Sequence, residues 1–265
     1  MIHVNGTSLF VEDSGGGGPP VLFSHGLLWS GEMFRAQVDA LAGSYRTLTY
    51  DHRGQGRSAE SSLASIDMDT LTRDAVALIA RLALAPVHFV GLSMGGFVGL
   101  RLAARYPKLV RSLTLMETSA LPEPEENRLK YRAMAWASRM VGVAPLADRV
   151  MPIMFGKTFL EDPARAQERK LWRERLLQNR RSVWRAVNGV IDRPSVEAEL
   201  ARIAVPTLVL VGDEDVATPR DKAERIVNGI AGAQLTEIPA AGHSSTVENP
   251  EAVNRALTGF LRSLS

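Results

Sequence analysis

Cysteine is absent from all 265 residues. Disulfides, thiolate metal sites and a cysteine nucleophile are therefore excluded. No apolar run approaches the roughly 18–20 residues that a membrane-spanning helix needs. The first residues, Met1-Ile2-His3-Val4-Asn5, carry no basic segment leading into an apolar one, which is how a secretory signal reads. A cytoplasmic protein is the resulting expectation. Basic runs interleaved with aromatics are also missing, and the formal charge is only +2 despite a pI near 9.1. Neither a nucleic acid nor a membrane is expected as a partner. Internal repeats are absent. What remains is ordinary globular material, 45% hydrophobic and 23% charged, in a chain long enough for one large domain or a domain with an insertion.

One stretch organises the rest. Val87-His88-Phe89-Val90 runs into Gly91-Leu92-Ser93-Met94-Gly95-Gly96, and then Phe97, Val98, Leu100, Leu102 and Ala103 continue at helical spacing. This is strand, sharp turn and helix with a serine at the apex, the arrangement known as a nucleophile elbow. Gly91 and Gly95 flank the turn, where side chains would collide with strand and helix. The turn lifts the Ser93 hydroxyl clear of the sheet, at the positive end of the following helix. The plainer reading is a tight connection whose serine caps the helix. A serine alone is a weak nucleophile, so the chain must also supply a base, an orienting acid and oxyanion donors.

Around the elbow, short apolar strands alternate with helical patterns. Strands are expected at Ser8–Glu12, with Ile2–Val4 beside it, and at Val21–Ser24, Tyr45–Tyr50, Val110–Met116, Val205–Gly212 and Gln234–Ile238. Helices are expected at Met33–Leu41, from about Leu71 to Leu82 with Asp67 or Asp69 as N-cap, after Thr218-Pro219, and after Asn249-Pro250. Strands that read as unbroken apolar runs indicate a mostly parallel sheet covered by helices on both faces. Between Leu121 and about Pro194 the alternation stops. Helical patterns rich in Arg, Trp and Met take over, broken by five prolines. The organisation expected is a core of residues 1–120 and 196–265 with a helical cap at 121–195.

Five histidines are available as base. His243 stands in Ala240-Ala241-Gly242-His243-Ser244-Ser245, in the loop between the last strand and the last helix, and is chosen. His25 precedes Gly26 at a strand end and reads as a loop-shaping residue. His52 belongs to a polar loop, His88 reads as a core histidine, and His3 lies near the N-terminus. The acid is sought at another strand end. Gly212-Asp213-Glu214-Asp215 follows an apolar strand, and Asp215 is chosen over Asp213 and Glu214, which read as loop-shaping or solvated.

These motifs resemble those of the α/β-hydrolase fold, and the resemblance covers nearly the whole chain. The matching elements are His25-Gly26, Asp51-x-Arg53-Gly54-x-Gly56-x-Ser58, Gly91-Leu92-Ser93-Met94-Gly95-Gly96, Gly212-x-x-Asp215 before Thr218-Pro219, and Gly242-His243. The order Ser93, Asp215, His243 is that of these hydrolases. The resemblance implies oxyanion donors in the backbone N–H groups of Leu27 and Met94, and no cofactor or metal. Within the family, the Gly-Leu-Ser-Met-Gly-Gly run and the chain length are most similar to 3-oxoadipate enol-lactonases and small esterases. Ser93 stands where haloalkane dehalogenases and soluble epoxide hydrolases place an aspartate, which argues against both activities. The His-Gly-Gly-Gly stretch of many lipases is missing. Leu27-Leu28-Trp29 lacks the proline that follows His-Gly in cofactor-free perhydrolases. Glu117, after the strand Val110–Met116, is a reserve acid at the place some dehalogenases use.

A pocket is expected between the sheet and the cap, with Leu28 and Trp29 on the core side and Met154 and Phe155 from the cap. Packing among the cap helices is an equal reading for the cap residues. Residues 121–195 hold 15 Lys/Arg against 9 Asp/Glu, a net +6, and the remainder holds 16 against 20, a net −4. A positive cap would steer anionic substrates, but solvated helix faces are the preferred reading of these arginines. The function expected is serine hydrolysis of a small carboxylic ester or lactone. Alternatives are 3-oxoadipate enol-lactonase in particular, a perhydrolase or haloperoxidase, and a small-ligand receptor that keeps the triad. Self-association is left open.

Overall fold

The computed structural model describes residues 1–264. The first residues form an antiparallel pair, β1 (Ile2–Val4) and β2 (Thr7–Leu9). A seven-stranded sheet follows, built from β3 (Val11–Asp13), β4 (Pro20–Ser24), β5 (Arg46–Tyr50), β6 (Val87–Leu92), β7 (Val110–Met116), β8 (Thr207–Gly212) and β9 (Gln234–Ile238). The spatial order is β3-β5-β4-β6-β7-β8-β9, and only β3 runs antiparallel to its neighbour. The strand expected at Ser8–Glu12 is two strands, because its halves have different partners. Its first half pairs with β1 and its second with β5.

Helices α1 (Arg35–Leu41), α2 (Met68–Arg81), α3 (Met94–Arg105), α4 (Glu125–Val141), α5 (Ala147–Met154), α6 (Lys157–Glu161), α7 (Ala166–Leu177), α8 (Trp184–Ile191), α9 (Arg220–Gly229), α10 (Ser245–Glu248) and α11 (Pro250–Arg262) complete the chain. Asp67 caps α2 by accepting from the Thr70 N–H, and Asn249 caps α11 by accepting from the Ala252 N–H. β6 and β8 are buried along their whole length because helices cover both faces of the sheet. Successive residues feed opposite layers. Phe89 and Val209 join the apolar cluster that includes α2, α3 and α9 residues, while Val90 and Leu210 join the cluster that includes α1 and α11 residues.

The long stretch between β7 and β8 contains α4 to α8 and no strand. It leaves and rejoins the sheet side by side, with the Val196 N–H donating to the Ala120 carbonyl at 2.8 Å. Its aromatics are continuous with the core, since Phe155, Phe159 and Trp172 share one cluster with Trp29, Phe23 and Phe34. Its arginines do more than solvate helix faces. Arg165 donates to the carbonyls of Val247 and Glu248, Arg180 to those of Ser58 and Gly56, and Arg185 to that of Ser61. These bonds tie the helical segment to loops of the sheet domain. The described residues include no helix long and apolar enough to cross a membrane.

Candidate active site

The turn after β6 holds Ser93 at φ 50°, ψ −109°, outside the regions that ordinary side chains favour. The two flanking glycines explain how the chain tolerates this. A side chain at Gly91 would strike the Gly95 carbonyl, and one at Gly95 would strike the Ser24 carbonyl. The Ser93 N–H is anchored on the Met116 carbonyl at 2.8 Å, so the apex is fixed between β6 and β7. Met94 opens α3, and its N–H therefore has no partner within the helix.

Three loops at the C-terminal edge of the sheet converge on this apex. Ser93 Oγ lies 2.8 Å from His243 Nε2, and His243 Nδ1 lies 3.0 and 3.1 Å from the two Asp215 oxygens. All three side chains are buried. Asp215 also accepts from the Ala217 N–H at 2.8 Å, the Thr218 N–H at 3.1 Å and the Thr218 hydroxyl at 2.7 Å. This turn fixes the carboxylate against the imidazole. Burial opposes the charged forms of both groups, but their mutual attraction and hydrogen bonding outweigh it. Asp215 is held below its usual range and His243 above 6.5. In such a chain an imidazole can take a proton from a hydroxyl and keep the resulting charge paired.

Glu117 does not take part in this chain. It follows β7 at φ 44°, is fully buried, and has no hydrogen bond to either carboxyl oxygen. Burial and the nearby Asp215 charge push its carboxyl well above the usual range.

The loop after β4 carries Leu27 and Leu28, the latter at φ 71°. The Leu27 N–H has no hydrogen-bond partner among the described residues. His25 shapes this loop, as its sequence position implies. Its Nδ1–H donates to the Gly26 carbonyl at 2.7 Å and its Nε2 accepts from the His52 N–H at 2.9 Å, and burial lowers the ionisation of the ring. His88 is a core residue bonded to Ser112.

A cavity of about 150 Å³ opens onto Ser93 and His243. Leu27, Leu28 and Met154 line it. Trp29 and Phe155 do not. Those two pack against each other at 5.7 Å between ring centroids, with Trp172 at 5.3 Å from Trp29 and Phe159 stacked 4.6 Å from Phe155. The expected pocket is corrected accordingly. Met154 ends α5 facing the cavity, whereas the next residue leaves the helix with extended backbone and is directed into the aromatic cluster.

Sequence reasoning missed two residues that hold these loops. Gln55 accepts from the Leu28 N–H at 2.9 Å and points its amide at Met94 Sδ, 3.7 Å away, so it touches both loops that supply unpaired N–H groups. Glu248, buried in α10, accepts from the N–H groups of Gly242 and Ser244, on either side of His243, and from that of Gly156 in the helical segment, at 2.7–2.9 Å. The sequence signal for Glu248 was only a carboxylate five residues beyond the chosen histidine.

A family pattern described as the alpha/beta hydrolase fold matches residues 19–250. The chain belongs to the α/β-hydrolase fold family. Within it, this α/β hydrolase is similar to an enol-lactonase from Burkholderia xenovorans LB400, at 30% identity and a TM-score of 0.90, with 98% of each chain covered. It is similar to the same degree, 30% and 0.90, to a thermophilic esterase from Thermogutta terrifontis solved with malate bound, over 97% of this chain and 94% of the other. A Rhizobium rhizogenes relative provisionally named carbamate hydrolase RutD is 27% identical over 249 residues, 92% of this chain and 93% of its own. The family is thus of the small esterase and lactonase type, as the sequence motifs implied.

Proposed function

We propose that this α/β hydrolase cleaves small carboxylic esters or lactones through a serine-bound acyl intermediate. The observation that carries the reading is the unbroken hydrogen-bond chain from Ser93 Oγ through His243 to Asp215, set at the floor of a mainly apolar cavity. Ser93 Oγ attacks the ester carbonyl carbon as its proton passes to His243 Nε2. The carbonyl oxygen becomes an oxyanion held by the Leu27 and Met94 N–H groups. The bond to the alcohol oxygen then breaks, and His243 gives that oxygen its proton. Water attacks the acyl group, passes a proton to His243, and the acid leaves as Ser93 recovers its hydrogen. Asp215 keeps the imidazole in the tautomer with hydrogen on Nδ1 and stabilises the imidazolium. Residues 121–195 act as a cap that closes the cavity over the acyl or alcohol group.

The test is Ser93→Ala assayed on p-nitrophenyl esters of graded length, a few lactones and an alkyl carbamate. Turnover is expected to fall at least about 10³-fold with the melting curve unchanged, because an apex hydroxyl packs little. A fluorophosphonate is expected to add once to the wild-type chain, at Ser93, by intact-mass and peptide analysis. A folded variant that keeps a tenth of wild-type turnover overturns the covalent mechanism.

A further inference from the structure

Glu123, Tyr131 and Arg193 line the same cavity as Ser93, and bond-making at an ester carbonyl has no use for them. Arg193 is only 5% exposed. Its Nε donates to the Leu121 carbonyl at 3.1 Å, and its Nη1 donates to Glu123 Oε2 at 2.9 Å and the Val190 carbonyl at 2.8 Å. The guanidinium lies 4.3 Å from the Phe97 ring centroid. These contacts fix the group, yet they leave Nη2 with two N–H donors and no protein acceptor. Glu123 Oε1 and the Tyr131 hydroxyl also lack protein partners, and none of the three atoms is fully buried. The rest of the cavity wall is mainly apolar and includes Met134, Val150 and Met154.

We infer that this corner is a specificity subsite for an uncharged group that both donates and accepts hydrogen bonds, such as a terminal carboxamide or hydroxyl. The inference rests on the ester-hydrolase reading and names the substrate class within it. Charge balance decides the chemistry. Arg193 and Glu123 already neutralise each other across 2.9 Å. A carboxylate placed here gains Arg193 but meets Glu123, and an ammonium gains Glu123 but meets Arg193. Either one buries a net charge in a mostly apolar space. A carboxamide brings a carbonyl for Arg193 Nη2 and an N–H for Glu123 Oε1 without adding charge. Tyr131 can serve either atom. A purely alkyl chain leaves all three polar groups unpaired or displaces the water that served them, which is the situation in which polar sites discriminate strongly.

Two ester series test this, each with alkyl, ω-carboxamide and ω-carboxylate ends matched in length from four to seven carbons. One varies the acyl chain of p-nitrophenyl esters. The other varies the alcohol of acetates, with release followed by pH-stat. In one series the carboxamide is expected to exceed the matched alkyl ester at least about tenfold in kcat/KM, with the carboxylate below the carboxamide. Tyr131→Phe and Arg193→Lys are expected to shrink the carboxamide-to-alkyl ratio, a readout that does not depend on how much active enzyme each variant yields. If alkyl esters are hydrolysed but the carboxamide never leads, or the carboxylate is best, the subsite is wrong and the hydrolase reading stands. If no ester in either series turns over, both readings fall together.

Discussion

In the proposed reaction His243 must be uncharged to accept the Ser93 proton. Asp215 holds its ionisation above 6.5, so kcat/KM is expected to rise with pH along a limb whose midpoint lies above 6.5. Below that limb the imidazolium is already paired with Asp215 and cannot act as a base. Asp215→Asn removes the charge that raises the imidazole. The limb is then expected to move to lower pH while kcat falls on the order of 10⁴-fold, because the tautomer is no longer fixed. Glu117→Gln is expected to leave limb and rate nearly unchanged, since neither Glu117 oxygen bonds to a catalytic group. pH–rate profiles of the three proteins check this, and a reversed result would hand the acid role to Glu117. The same pairing sets the sign of the pH effect on stability. The contribution from raised His243 is complete below 6.5 and fades as pH climbs through its folded value. The contribution from Asp215 is present above 3.8 and fades as pH falls through its depressed one.

Helix α5 divides two adjacent residues between two tasks. Met154 reaches the cavity and Phe155 fills the aromatic cluster with Trp29, Phe159 and Trp172. Phe155→Ala is therefore expected to cost about 3–5 kcal/mol, or roughly 10 °C in melting temperature, with the ester-length profile unmoved. Met154→Ala is expected to shift preference toward longer chains by about tenfold with a smaller loss of stability. Melting curves and chain-length profiles of both variants check the division, and a moved profile in the Phe155 variant would refute it. This is also the scale at which the sequence stops being legible. The elbow could be read because strand, glycines and helix are local, and Asp215 and Glu117 could be told apart only as candidates. Whether Phe155 or Met154 meets the cavity depends on where α5 ends and which element lies opposite. Pattern along one helix carries neither fact. Trp29 failed for the same reason, since its partner Trp172 lies far along the chain in α7.

The mostly parallel sheet and the three loops that follow its strands were legible from alternation and spacing, because apolar strands separated by helical crossovers leave few ways to connect. The relation of residues 121–195 to the core was not. Arg165, Arg180 and Arg185 stitch that segment to carbonyls of the core, and its aromatics belong to a cluster shared with the sheet. The molecule is accordingly expected to melt in a single transition, coincident by tryptophan fluorescence, far-UV circular dichroism and calorimetry. A separate early fluorescence transition would mean that the helical segment melts on its own, since three of the four tryptophans, Trp136, Trp172 and Trp184, lie in it. Glu248 gives this unity a further meaning. One carboxylate grips the backbone on both sides of the proton acceptor and, with the same oxygen that binds Gly242, the backbone of the overlying segment at Gly156. Breaking the Gly156 contact would therefore take a donor from the carboxylate that steadies the loop on either side of the imidazole. The loop that carries the histidine and the segment at Gly156 thus hang from one pin.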